Sequence, residues 1–179
     1  MDTFEQLFEE TVKDIYYAEK AILKALPKMA KKATSKKLQT AFSKHESETE
    51  KQVERLEQVF ELLGKRASGK KCPAIDGIIE EASEVMKEAE DDMVRDAAML
   101  AAAQSVEHYE ISRYGTLVAW AAKMNMRKVE TLLQATLDEE KATDAKLTEL
   151  ADMEINIAAE EGEDDEMPAP RRKAGGTRR

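Results

Sequence analysis

Seven side chains interrupt the apolar stripes of this 179-residue chain with groups that bind metals: Glu19, His45, Glu48, Glu107, Glu110, Glu140 and Asp144. Glu19 stands between Ile15 and Ile22, in a run that continues to Leu26 at helical steps, so it falls on a buried face. His45, Glu48 and Gln52 lie on one line bracketed by Phe42 and Val59. Glu107 and Glu110 share a face with Ala97, Ala101, Gln104, Tyr114 and Leu117, and Ile111 competes for the Glu110 position. Glu140 and Asp144 follow Leu133 and Leu137 and precede Leu147, with Glu139 a rival for Glu140. Carboxylates buried without a counter-charge are strongly destabilising. Lys20 and Arg113 flank these lines rather than join them, which leaves protons or bound cations as the remedy. Six carboxylates and one imidazole suit iron or manganese better than a thiolate-loving metal. Two divalent cations would neutralise four of the six negative charges. In so charged a chain any single Glu is more often a solvated surface residue. It is the agreement of four segments that favours a metal site over internal salt bridges.

The elements that must position these residues are helices. Gly and Pro are scarce and clustered, and the long intervals between the clusters carry apolar residues at helical spacing. Long helices are expected over about 2–32, 35–63, 91–124 and 127–155, with a short one over about 75–88. Pro27 should kink or break the end of the first. Short connections make the first and last pairs antiparallel hairpins, and the roughly 27 residues between them suffice to cross the length of a bundle. The expected architecture is all-α: a ferritin-like four-helix bundle with a long crossover between helices 2 and 3 carrying a short fifth helix. The helix midpoints fall near residues 17, 49, 107 and 141, and every candidate ligand lies within roughly one turn of its own midpoint. The ligands should therefore meet in one layer.

Composition narrows the function classes. Lys+Arg is 28 and Asp+Glu is 37, a net charge of −9, which makes the core domain a poor binder of nucleic acid. A single cysteine, Cys72, excludes an intrachain disulfide, and two histidines exclude a Cys/His zinc module. Cys72 follows two lysines, which could lower its pKa, but it is read as an incidental loop thiol. Tyr17, Tyr109 and Tyr114 lie near the layer and are read as packing residues; His108 flanks the helix 3 stripe. No membrane-spanning run and no signal peptide are expected, so a cytoplasmic, soluble protein is the default. Residues 1–159 are read as the bundle. Residues 160–179, acidic and then basic, hold no packable apolar set and are read as a disordered tail.

Several ordered stretches match one family: DIYYAEKAILKALPKMA (14–30), AFSKHESETEKQVERLEQVF (41–60), KCPAIDGIIEEA (71–82), VRDAAMLAAAQSVEHYEISRYGTL (94–117) and LDEEKATDAKLTELA (137–151). Through them the chain resembles the YciE/YciF family of ferritin-like, stress-associated bacterial proteins. The resemblance implies a rubrerythrin-related bundle, a homodimer and a di-iron centre. It makes Glu19 the carboxylate of helix 1, and Glu107 and Glu110 the Glu-x-x-Glu pair of helix 3. It departs from the rubrerythrin pattern on helix 2, which carries His45-x-x-Glu48 in reverse order, and on helix 4, which carries Glu140 and Asp144 without a histidine. The expected function is a stress-response protein whose dinuclear iron or manganese site oxidises Fe(II) or consumes peroxide. The alternative is a non-enzymatic dimeric interaction protein without a working metal site.

Overall fold

The computed structural model describes the backbone of residues 1–166 and the side-chain environments of residues 1–161. Helix α1 (Phe4–Lys32) opens where the Thr3 hydroxyl accepts the amide of Gln6. That satisfies a donor with no partner inside the helix. Phe8, Val12, Ile15, Ile22 and Leu26 form its buried stripe. The helix runs through Pro27 without ending there. Pro27 lies on the exposed face, so the carbonyl it deprives of a donor can turn to water instead of the core.

Helix α2 (Lys36–Leu62) is capped twice, by the Ser35 side chain and by Asp96 from across the bundle. The buried Asp96 carboxylate accepts the amides of Thr34 at 2.9 Å and Ser35 at 2.6 Å. Gly64 turns the chain out of α2 with φ 67°, a conformation that favours glycine. Helix α3 (Pro73–Glu88) begins on a proline, and Asp91 caps α4 (Asp92–Lys123) through the amides of Met93 and Val94. Asn125, at φ 58°, reverses the chain into α5 (Arg127–Leu150). The last helix was expected to run unbroken to about residue 155. Instead α5 ends at Leu150, widens into one π-helical turn (Ala151–Ile155) and resumes as α6 (Asn156–Glu166). Helical backbone thus continues past residue 159; residues 167–179 of the expected tail lie outside the described residues.

Contacts near the two ends set the helix directions. Thr34 meets Asp96 at one end, and Phe4 packs edge-on against Trp120 at the other, with ring centroids 5.5 Å apart. Helices α1 and α4 are therefore antiparallel. On the opposite seam Lys37 pairs with Glu154 and Arg55 with Glu139, so α2 and α5 are antiparallel too. Since α1 and α2 form a hairpin, α2 and α4 run parallel, and the segment between them must travel the bundle's length. That segment carries α3, which packs on α4 and α1. The Lys70 amide bonds the Lys13 carbonyl at 3.0 Å. Gly69 lies so close to α1 that a Cβ there would sit 3.2 Å from that of Tyr17. The architecture is the all-α, ferritin-like four-helix bundle with a helical crossover. No helix among the described residues is long and apolar enough to cross a membrane.

Candidate metal centre

Each helix of the bundle turns at least one acid or imidazole into the core. Glu19 comes from α1, His45 from α2, Glu107 and Glu110 from α4, and Glu140 from α5; none is more than 4% exposed. One ligand atom from each of His45, Glu107, Glu110 and Glu140 lies within 4.8 Å of the others. A cation with bonds of about 2.1 Å holds opposite ligands about 4.2 Å apart, so this set closes on one with shifts of under about an ångström. Glu19 adjoins the set. With a proton between them, Glu19 and Glu110 come within hydrogen-bonding reach, as do Glu107 and Glu140.

As ionised groups these acids lack partners. Both oxygens of Glu110, both of Glu140, and Oε2 of Glu19 and of Glu107 are buried without a hydrogen bond. His45 Nδ1 is 3.3 Å from Glu107 Oε1 but is not aligned to bond it. Buried native polar groups are almost always satisfied, so so many orphans in one place ask for something between them. Without a cation, protons must serve. Burial first, and then the charge of Glu140, lifts the Glu19 carboxyl well above its usual range. Burial and the charges of Glu19, Glu140 and Glu107 do the same to Glu110. Burial and Glu140 push Glu107 to about 11, and burial takes Glu140 to about 7. Burial lowers His45 to about 4, leaving a neutral imidazole free to donate a lone pair. Oxygen-rich donors with one neutral nitrogen fit iron or manganese.

Glu48 and Asp144 stand at the edge of the set. Glu48 is half-buried and bonded to Lys44 at 2.6 Å; Asp144 is half-buried, 3.2 Å from the exposed His108. The rivalry between Glu139 and Glu140 resolves by direction. Glu140 is fully buried, whereas Glu139 points into the α2–α5 seam, where Arg55 grips both its oxygens at 2.6 and 2.7 Å. Burial raises the Glu139 carboxyl, Arg55 outweighs it, and the group ends below its ordinary value.

The packing reading of Tyr114 misses half its role. The ring is fully buried, and its hydroxyl donates to Glu19 Oε1. Its position one turn beyond Glu110 on the same face was the available signal. Tyr17 and Tyr109 bond other partners, Asp76 and Asp14. Thr49 and Gln52 are also buried beside the set on α2; Thr49 bonds the His45 carbonyl, and the Gln52 amide donates to Glu139 at 3.3 Å. Cys72, read as an incidental loop thiol, is buried at the start of α3.

This fold recurs in known proteins. Residues 3–160 match the family described as a domain of unknown function, DUF892. The chain is 48% identical to Protein YciF of Escherichia coli over 161 residues, covering 89% of this chain and 97% of that protein. The crystal structure of the E. coli stress protein YciF superposes with a TM-score of 0.83, spanning 87% of this chain and 99% of that one. YcfI from Rhodopseudomonas palustris is 51% identical, with a TM-score of 0.81 over 82% of this chain and 94% of its own. A Xanthomonas campestris protein at 22% identity, with a TM-score of 0.70, shares the fold. The matched span takes in all four helices of the core and every residue of the acid–imidazole set, and the chain belongs to the DUF892 family, the YciE/YciF family of ferritin-like proteins.

Proposed function

We propose that the chain is a stress-response protein of the cytoplasm, acting as a homodimer, whose core holds two iron or manganese ions and uses them to oxidise Fe(II) or consume peroxide. The observation that carries this reading is the set of buried carboxylate oxygens with no partner. Their distribution suggests the division of labour. Glu110 and Glu140, with both oxygens free of hydrogen bonds, would hold metal through either oxygen. Glu107 has one oxygen facing His45 and Glu19 has one committed to Tyr114, so each would offer its other oxygen to a metal. His45 is the neutral donor. Glu48 and Asp144 stand at the rim, where they would draw cations inward.

Bound metal would supply redox chemistry and open positions for the oxidant. The chain's own residues do the rest. Buried apolar residues on the same helix faces, such as Ile15, Ile22, Leu133 and Leu137, hold the set inside the bundle. Tyr114 fixes the rotamer of Glu19. Glu19, Glu107, Glu110 and Glu140 release their protons as cations enter and take them back as cations leave. The E. coli relative is called a stress protein, which agrees with a protective role.

The test is metal analysis of protein purified without chelator, joined to addition of Fe(II) under air. About two metals per chain and an oxygen-dependent absorbance change are expected. A folded chain that takes up neither iron nor manganese would favour the alternative, an interaction protein with a protonated core.

A further inference from the structure

Outside the metal set, Cys72, Tyr109 and Asp14 are linked together, with Arg113 against them. Cys72 is 1% exposed, and its Sγ lies 3.0 Å from the Tyr109 hydroxyl. That hydroxyl is 3.0 Å from Asp14 Oδ2. The Arg113 guanidinium sits 5.3 Å from the Tyr109 ring centroid, and its Nε is 3.7 Å from the same Asp14 oxygen. Proton accounting gives the chain a direction. A phenol has one hydrogen and a carboxylate only accepts, so the Tyr109 hydrogen goes to Asp14. Cys72 must then donate its S–H to the phenol oxygen.

A protonated, buried sulfur is a poor nucleophile and a poor metal ligand. The same arrangement is well suited to one-electron chemistry. A phenol gives up an electron readily only as its proton leaves, and Asp14 is placed to take that proton. The phenoxyl oxygen so formed already faces a thiol hydrogen. The group is joined to the metal set through the backbone: Tyr109 is the residue before Glu110 on α4, about 3.8 Å away from Cα to Cα.

We propose that Cys72, Tyr109 and Asp14 form an outlet for oxidising equivalents leaving the core, with hydrogen peroxide as the oxidant and the Cys72 sulfur as the place where they come to rest. The proposal rests on the metal-site reading. Tyr109 gives one electron toward the centre and its proton to Asp14. The phenoxyl oxygen takes the hydrogen atom of Cys72, and Asp14 passes its proton to water. A second one-electron oxidation, with water adding to sulfur and losing a proton, leaves a sulfenic acid. In sum one thiol and one peroxide give one sulfenic acid and one water; the sulfur loses two electrons and peroxide gains them.

The experiment treats iron-loaded protein with one equivalent of peroxide, quenches it into denaturant containing dimedone, and measures labelled Cys72 by mass spectrometry. Metal content is measured on the same samples. Cys72 should label in the iron-loaded wild type. Labelling should fall at least about tenfold in metal-free protein, in Tyr109→Phe and in Asp14→Asn. Iron-loaded Cys72→Ser should show a tyrosyl radical by electron paramagnetic resonance that outlives any in the wild type. Equal labelling in Tyr109→Phe would mean that peroxide reaches the sulfur directly, and it overturns the proposal. So does a fully iron-loaded wild type with neither label nor radical, which leaves the metal reading standing. A chain with no metal content loses both.

Discussion

His45 Nδ1 and Glu107 Oε1 approach to 3.3 Å in the bundle core without forming a hydrogen bond. One comes from α2 and the other from α4, parallel helices on different hairpins. The imidazole is neutral, with its pKa held down at about 4 by burial, so the contact is not an ion pair at neutral pH. Two groups that face each other in this way gain from a cation between them.

Saturating Fe(II) or Mn(II) should therefore raise the melting temperature, because metal binds the folded state alone. At a hundred times the dissociation constant the gain is about 2.7 kcal/mol, or about 5–10 °C for a chain of this size. Differential scanning fluorimetry with and without metal, in buffer treated with a chelating resin, measures it. No shift at millimolar metal would argue for a protonated core.

The metal-free protein should lose stability as pH rises above about 6.5. Glu107 and Glu140 have folded pKa values of about 11 and 7, above the ordinary 4.5, and those of Glu19 and Glu110 are raised as well. Groups raised on folding bind more protons folded than unfolded. Their stabilisation is complete below about 4.5 and drains away as pH climbs through the folded values. His45 works in the opposite direction, losing stability as pH falls from its ordinary 6.5 to about 4. Above that window His45 no longer offsets the acids, so urea midpoints should decline from pH 6.5 to 9. Bound metal should flatten the decline, since it replaces the protons.

Substitution of neighbouring acids separates core from seam. Glu140→Gln should abolish binding of at least one metal while leaving the metal-free melting temperature unchanged or higher, because a buried acid is replaced by a neutral amide. Glu139→Gln should keep full metal uptake and lose about 1 kcal/mol or less, the worth of a partly exposed Arg55 pair. Metal content and thermal melts of the two variants decide it; the reverse pattern would make Glu139 the ligand.

Tyr114→Phe should fold and bind metal about 10–100-fold more weakly, since Glu19 loses the donor that holds its orientation. Competition against a chromogenic chelator reads the affinity. An unchanged constant would reduce Tyr114 to packing.

Asp96→Ala should cost about 2–4 kcal/mol through the uncapped amides of Thr34 and Ser35, with metal content per folded chain unchanged. Chemical denaturation followed by helical circular dichroism measures the loss.

The acids that reach the core were legible because each replaces an apolar residue in the middle of a stripe. Glu19 between Ile15 and Ile22 is the clearest instance, and Glu140 behind Leu137 is another. Glu48 and Asp144 were harder to place. Three residues fall about 60° short of a full turn and four overshoot by about 40°, so a neighbour three or four away from a buried residue lands at the margin of the stripe. Long partners then decide its direction: Lys44 draws Glu48 outward, and His108 meets Asp144 there. Spacing alone does not reveal the π-helical turn at Ala151–Ile155, because apolar residues continue across it. The break expected at Pro27 is absent for a related reason. A proline threatens a helix when the freed carbonyl is buried, and periodicity near the helix end did not show that this one faces water. The Cys72–Tyr109 contact joins residues far apart in sequence and leaves no periodic trace.

The crossover that carries α3 has one more implication. It divides the buried acids and imidazole unequally between two hairpins, with Glu19 and His45 on the first and Glu107, Glu110 and Glu140 on the second. Neither hairpin carries the whole set, so an ion captured there would be a rivet through both halves. Ion release and separation of the hairpins should then be coupled events, and starvation for metal would loosen the molecule along the α1–α4 and α2–α5 seams before it unwound any single helix.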